Sequence, residues 1–181
     1  KMSGTVFAAS CTYLIPVVSV LLGVFVLGCA GVMAIHLFGT MSVWLKIWTT
    51  WSPKAYFAAI KDVLVTAFST SSSNATLPAA LANATENLKI TPSTAGFVLP
   101  LGTTMNMSGT ALYEGCVVLF VAQVFGVDLS MGQQITLLLL SVLSAVAVAG
   151  IPGGSLPLIA GLLITFGIPA EGIGIILGTD R

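Results

Sequence analysis

Two stretches of the chain, residues 2–45 and 129–170, contain no Asp, Glu, Lys or Arg. Each is longer than the roughly 20 apolar residues one helix needs to cross the hydrocarbon core of a bilayer. Two further charge-free stretches, 63–85 and 90–113, are rich in Ser, Thr, Asn and Gly instead. Charged residues make up 7% of the 181, where soluble domains carry about 25%. So few charges cannot clothe a water-facing surface, and the chain reads as a membrane protein. Net charge is zero, which gives no reason to expect nucleic acid or an anionic surface as a partner.

Residues 13–38 are long enough to span the membrane, and whether residues 1–12 continue the same helix is open at this stage. A membrane-level histidine such as His36 can relay protons; the reading favoured here is a residue near a helix end, hydrogen-bonded locally. Trp44, Trp48 and Trp51 lie among Lys46, Lys54 and Lys61, a mixture that marks a membrane–water interface, and the lysines favour its cytoplasmic side. Cys11, Cys29 and Cys116 sit in apolar segments without metal-ligand spacing and read as small packing residues, not disulfide partners. The apolar run at the start is too long, and too soon followed by more membrane sequence, for a cleavable signal peptide. Lys1 and Arg181 both look like cuts through something longer.

Polar runs interrupt the apolar segments at recurring places. Residues 56–68 have helical apolar spacing, consecutive hydroxyls follow from Ser69 to Ser73, and a helical pattern resumes in LPAALANATENL. The unit is too short for two spans and fits a re-entrant hairpin whose polar tip reaches membrane depth. Such a tip is tolerated only where it is buried in protein or lines a cavity. Residues 92–101 are apolar, GTTMNMSGT (102–110) has a non-helical composition, and ALYEGCVVLFVAQVF resumes a helix. That is a helix broken in its middle. Residues 133–148, AGIPGGSLP (149–157) and LIAGLLITFGI form a second polar-tipped hairpin, with Gly and Pro where the backbone must turn. A further helix starts at Ile173.

The fold class expected is an all-α polytopic membrane protein with two re-entrant helical hairpins and a broken transmembrane helix. Its segments are residues 1–53 (one or more preceding helices), 54–90 (first hairpin), 91–126 (broken helix), 127–170 (second hairpin) and 171–181 (start of a last helix). Taken alone, the Ser/Thr run fits close helix–helix packing equally well; the other interruptions favour a tip. Discontinuous helices are how secondary transporters build substrate and ion sites, with half-helix N-termini facing anions and unwound carbonyls facing cations. Asn74, Asn83 and Asn106 match the glycosylation pattern, but Asn74 and Asn106 fall within the expected tips and Asn83 is also disfavoured.

At these interruptions the residues resemble one family, the glutamate/aspartate transporters, or dicarboxylate/amino acid:cation symporters. STSSSNATLP is similar to that family's serine-rich first hairpin tip, LGTTMNMSGTALYE to its broken helix, whose usual core reads Asn-Met-Asp-Gly-Thr, and AGIPGGS to its second tip. FGVDLSMGQQITL also matches the run between them. The resemblance covers about residues 54–181; residues 1–53 match only as a generic preceding helix. It implies a homotrimer in the plasma membrane (the inner membrane if bacterial), each protomer with a transport domain that moves elevator-fashion against a scaffold. It implies sodium and/or protons as coupling ions, no cofactor and no transition metal.

By the same resemblance, Ser72 and Ser73 match the positions that hold the substrate carboxylate, and N–H and O–H donors at a half-helix end suit an anion. Thr110 matches a substrate-contacting threonine. Ile151 and Ser155 match backbone positions of the second tip, the family's extracellular gate. Asp180 matches an aspartate that orients a substrate-binding arginine expected beyond Arg181. Gly102 and Asn106 match one sodium site, and Thr104 and Met107 match another, to which the carbonyls of Ala145 and Val146 contribute. Ser108 stands where the family usually has an aspartate that binds a further sodium ion; a serine weakens or removes that site. Glu114 matches the glutamate proposed to carry the proton in proton-coupled members. Taking a carboxyl out of water disfavours its charge and lets it cycle between two forms.

The function expected is secondary active symport of an acidic amino acid or dicarboxylate, with the balance tilted toward proton coupling. The sequence holds no phosphate loop, nucleophile–base pair or metal cluster of an enzyme. A neutral amino acid symporter of the same family is the alternative. From other classes, an ion channel would expect symmetrically repeated filter elements, and a non-transporting membrane protein has only Ser108 in its favour.

Overall fold

The computed structural model describes residues 4–177. Among these residues there is no strand, and the architecture is helical throughout. The first helix, α1 (Gly4–Ala34), runs without a break through a π-helical segment, Ile35–Thr40, into α2 (Met41–Trp48). This path takes in most of residues 1–12 and extends the expected 13–38 span at both ends. A chain turn follows at residues 49–52, where Ser52 caps α3 (Pro53–Ala59): its Oγ accepts from Ala55 N at 3.3 Å and Pro53 occupies the first turn. Capping oxygens satisfy donors that the first helical turn leaves free, and proline there loses nothing.

The first hairpin consists of α4 (Lys61–Thr70) and α5 (Ser73–Glu86), packed against each other. Its turn is tighter than the hydroxyl run suggests. Ser69 and Thr70 complete α4, because their hydroxyls bond back to the carbonyl of Thr66 at 3.1 and 2.8 Å. Such back-bonding lets Ser and Thr sit inside a helix without an orphan polar group. Asn83, buried in α5, donates from Nδ2 to Ala59 O at 2.8 Å and ties α5 to α3.

The broken helix is α6 (Pro92–Met105) and α7 (Ser108–Val124). The break is confined to Asn106 and Met107, and the flanking GTTM and SGT are helical. Thr103 Oγ1 bonds to Pro100 O at 2.7 Å and Thr104 Oγ1 to Leu101 O at 2.9 Å, so again the hydroxyls are absorbed by the helix. The second hairpin is α8 (Met131–Ala145) and α9 (Leu156–Thr165). At the start of α8, Ser130 and Gln133 form a reciprocal capping box. A short 3₁₀ turn, Ala170–Gly172, leads into α10 (Ile173–Ile176).

The core gathers on α7. Val117, Val118 and Val121 are fully buried against Leu137 of α8, Ile159 and Leu163 of α9, and Ile176 of α10. Phe25 of α1 stacks on Phe120 with centroids 4.5 Å apart. Cys29 and Cys116 are both free thiols, hydrogen-bonded to each other across α1 and α7, in keeping with a packing role. Two runs, Ser19–Trp48 and Pro92–Val124, are long and apolar enough to cross a membrane.

Candidate functional site

The first tip is built by Ser71, Ser72 and Ser73. Ser71 has φ 48°, a left-handed conformation that reverses the chain between α4 and α5. Ser72 is the N-cap of α5, and its Oγ accepts from Ala75 N at 3.2 Å. Below it, Thr76 Oγ1 donates to Ser72 O at 2.8 Å and meets Thr70 Oγ1 at 3.3 Å. The hydroxyl run thus knits a hydrogen-bonded turn, and donors of Ser72 and Asn74 point away from the hairpin.

Those donors meet the second tip. Ser72 Oγ donates to Gly150 O at 2.6 Å, and Asn74 N donates to the same oxygen at 3.1 Å. One carbonyl oxygen therefore sits at the N-terminus of α5, where the helix dipole and free N–H groups favour negative charge. Gly150 is the residue that permits this approach, since a Cβ there would lie 2.8 Å from Asn74 Oδ1 and 3.3 Å from Asn74 N. Gly153 (φ 74°) completes the turn. Ser155, buried, closes it as the N-cap residue of α9.

Three cavities adjoin the tips and the break. The largest, about 610 Å³, brings together Ser73, Thr110, Ile151 and Ser155, with Met107 and Tyr113. These are four of the six residues expected at the substrate. A second, about 410 Å³, adjoins Ser72 and Ser73 and reaches Gly102 and Asn106. The third, about 500 Å³ and mostly apolar, joins Asn106, Met107 and Ser108 to Ala145 and Val146 at the end of α8. The expected cation residues therefore cluster, with one exception. Thr104 lines none of these cavities, and its hydroxyl donates to Leu101 O. The Gly102 carbonyl accepts from Asn106 N at 3.0 Å, which leaves it one lone pair for a cation. Asp180 lies outside the described residues.

Glu114 is completely buried on α7, and Ser144 of α8 donates a hydrogen bond to its Oε2. Oε1 has no partner. Neither the Ser144 contact nor a second one, at His36, is announced by the sequence. His36 is not bonded locally: Nε2 lies 2.9 Å from Ser108 Oγ, on an element 72 residues away. It does so from the π-helical segment, where the backbone winding is wider, and π-turns occur disproportionately at functional sites. The π-segment itself has no obvious signature in the sequence.

Residues 3–181 match the model of the sodium:dicarboxylate symporter family. The chain is 40% identical over 126 residues to the proton/sodium-glutamate symport protein of Bacillus subtilis, covering 70% of this chain and 29% of that protein. It is also 40% identical over 129 residues to human excitatory amino acid transporter 2, covering 71% of this chain and 22% of that protein. With the putative sodium-dependent excitatory amino acid transporter glt-3 of Caenorhabditis elegans the identity is 37% over 148 residues, covering 82% and 28%. The chain spans less than a third of the length of these relatives.

Proposed function

The chain belongs to the sodium:dicarboxylate symporter family, and on that premise we propose that it forms the substrate and cation cradle of a symporter for acidic amino acids or dicarboxylates. It is an integral membrane protein, and we assign the whole protein to the plasma membrane as a homotrimer. The observation that carries the reading is the convergence of Ser72 Oγ and Asn74 N on one oxygen, Gly150 O. Two donors at a half-helix N-terminus, aimed at a single acceptor inside an apolar chain, are what a substrate carboxylate needs.

In this mechanism the second tip lifts, Gly150 O leaves the donors of the first tip, and a carboxylate takes its place. Thr110, Ile151 and Ser155 hold the rest of the molecule in the cavity they share with Ser73. Sodium is held by oxygens of Gly102, Asn106, Ala145 and Val146 about the break, with Met107 as a soft neighbour. Thr104 joins them through the lone pairs its hydroxyl keeps while it donates to Leu101 O. Ser108 contributes a neutral oxygen and no charge. Glu114 takes up and releases the proton. Each hairpin enters and leaves the membrane on a single side, the first on the cytoplasmic and the second on the extracellular side, and the cradle moves as a unit against a scaffold.

Names of relatives support the substrate class and the ions: glutamate symport with protons and sodium, and sodium-dependent excitatory amino acid transport. The test is uptake of labelled aspartate, glutamate and succinate by the full-length protein in proteoliposomes, under separate sodium and proton gradients. Gradient-driven accumulation of at least one acid is expected. Absence of uptake for all of them under either gradient overturns the reading. Glu114→Gln is expected to remove the proton dependence, and retention of that dependence would take Glu114 out of the mechanism.

A further inference from the structure

Glu114 is the one charged residue on α7, and α8 and α9 carry none. Its carboxyl is fully buried, so whatever holds it decides what its charge does to the packing around it. The contact comes from the second hairpin. Ser144 donates to Oε2 one residue before α8 ends at Ala145 and the chain enters the second tip. One turn earlier on the same face, Ser141 is 2% exposed and its Oγ has no partner. It faces Gly115, lying 3.9 Å from where a Cβ on that glycine would stand. Thus α8 presents two hydroxyls, three residues apart, to the segment of α7 that carries Glu114. Oε1 of that carboxyl and the hydroxyl of Ser141 are both buried without partners.

We propose that Ser144 is a positioning residue that ties the charge of Glu114 to the second hairpin. A hydroxyl donates about twice as strongly to a carboxylate as to a neutral acceptor. The ionised carboxylate therefore holds α8 against α7, and a proton taken from the aqueous phase at the unpartnered Oε1 weakens that hold. When the proton leaves, the clamp is restored. The other titratable groups on elements packed against α7 leave this pair undisturbed. The Cys29 and Cys116 thiols face each other, the His36 ring is engaged by Ser108, Tyr113 on α7 is a phenol, and Glu171 in the 3₁₀ turn is exposed. This rests on the assignment of Glu114 as the proton carrier, and adds the element that responds to it.

The test uses the full-length protein in proteoliposomes, with two readouts. Acid-minus-base infrared difference spectra follow the carboxyl band that Glu114→Gln removes, and labelled glutamate uptake is followed from pH 5 to 9 at a fixed sodium gradient. Ser144→Ala removes the donor to the charged form, so both profiles are expected to move about one pH unit toward alkaline, a roughly tenfold gain in proton affinity. Ser144→Thr, which keeps the hydroxyl, is expected to restore the wild-type midpoint, and Ser144→Cys, a weaker donor of similar size, to fall between. In a Glu114→Gln background, Ser144→Ala should add nothing to the uptake profile, as expected of a coupled pair. Profiles of Ser144→Ala, or of Ser144→Cys if the alanine variant does not fold, that superpose on wild type overturn the proposal. So does an equal shift in the Glu114→Gln background. If the wild type takes up no acid at any pH the symport reading falls, while the infrared midpoints still decide the Ser144 contact.

Discussion

Gly150 shows how a single missing side chain carries an arrangement. A Cβ at this position meets Asn74 Oδ1 at 2.8 Å, Cγ at 3.1 Å and the backbone N at 3.3 Å. The first two belong to a side chain that can be removed, and the third to backbone that cannot. Gly150→Ala is therefore expected to part the tips and lower acid uptake at least about tenfold, equivalent to about 1.4 kcal/mol. Adding Asn74→Gly should recover part of that loss and not all of it. Full recovery, or no loss in the single variant, would show that the tips do not need this contact. Ser108 supports a second prediction of the same kind. Its hydroxyl meets His36 Nε2 at 2.9 Å, beside the cavity that also reaches Asn106 and Met107. Ser108→Asp puts a carboxylate among neutral oxygens, the hard anionic ligand that a cation prefers. Half-maximal uptake should then need roughly tenfold less sodium, and an unchanged sodium dependence would exclude this position from the cation cluster.

At the scale of elements, position and extent were legible to different degrees. Each place where the sequence turns polar within an apolar run is a place where the chain turns or breaks, because backbone groups at membrane depth need special partners. The extents came out shorter. Ser69 and Thr70 finish α4, and Thr103 and Thr104 finish α6, since a hydroxyl that returns to a carbonyl three or four residues back costs the helix little. The break is thereby reduced to Asn106 and Met107. That Ser73, Thr110, Ile151 and Ser155 would come together was legible, as they share one cavity. The His36–Ser108 and Glu114–Ser144 contacts were not, because no local pattern announces which helix a polar side chain will face. Capping gives this scale its own test. Ser72 and Ser130 are both N-caps, of α5 and α8, but only Ser72 also reaches the other hairpin. Each alanine substitution should lower stability by about 1 kcal/mol. Ser130→Ala should do so with the substrate concentration for half-maximal uptake unchanged, whereas Ser72→Ala should raise that concentration severalfold. Equal behaviour of the two variants would deny Ser72 a place in the substrate cluster.

For the whole molecule, the apolar surface is the dominant fact. Leu27 is 75% exposed, Phe97 72% and Phe68 91%, so lipid or further protein must cover the flanks of α1, α4 and α6. The 31-residue α1 is about 46 Å long at 1.5 Å per residue. That exceeds the roughly 30 Å hydrocarbon core, so with α2 continuing it the helix must either tilt or emerge. The tryptophans say where it emerges. Trp44 and Trp48 stack at 6.4 Å near the end of α2 and Trp51 follows in the turn, with Lys46 in the last turn of the helix. Indole rings settle at the headgroup level, with the apolar body inward and the N–H toward water. In vesicles of brominated lipid, their fluorescence should therefore be quenched more by bromines near the headgroup than by bromines deep in the acyl chain. The signal is isolated by subtracting variants with Trp44, Trp48 and Trp51 replaced by Phe. Stronger quenching by the deep bromines would place α2 inside the hydrocarbon and shift the whole register of α1. No quenching at either depth would put this end of the helix in water or under protein, and the interface assigned to residues 44–51 would have to be abandoned.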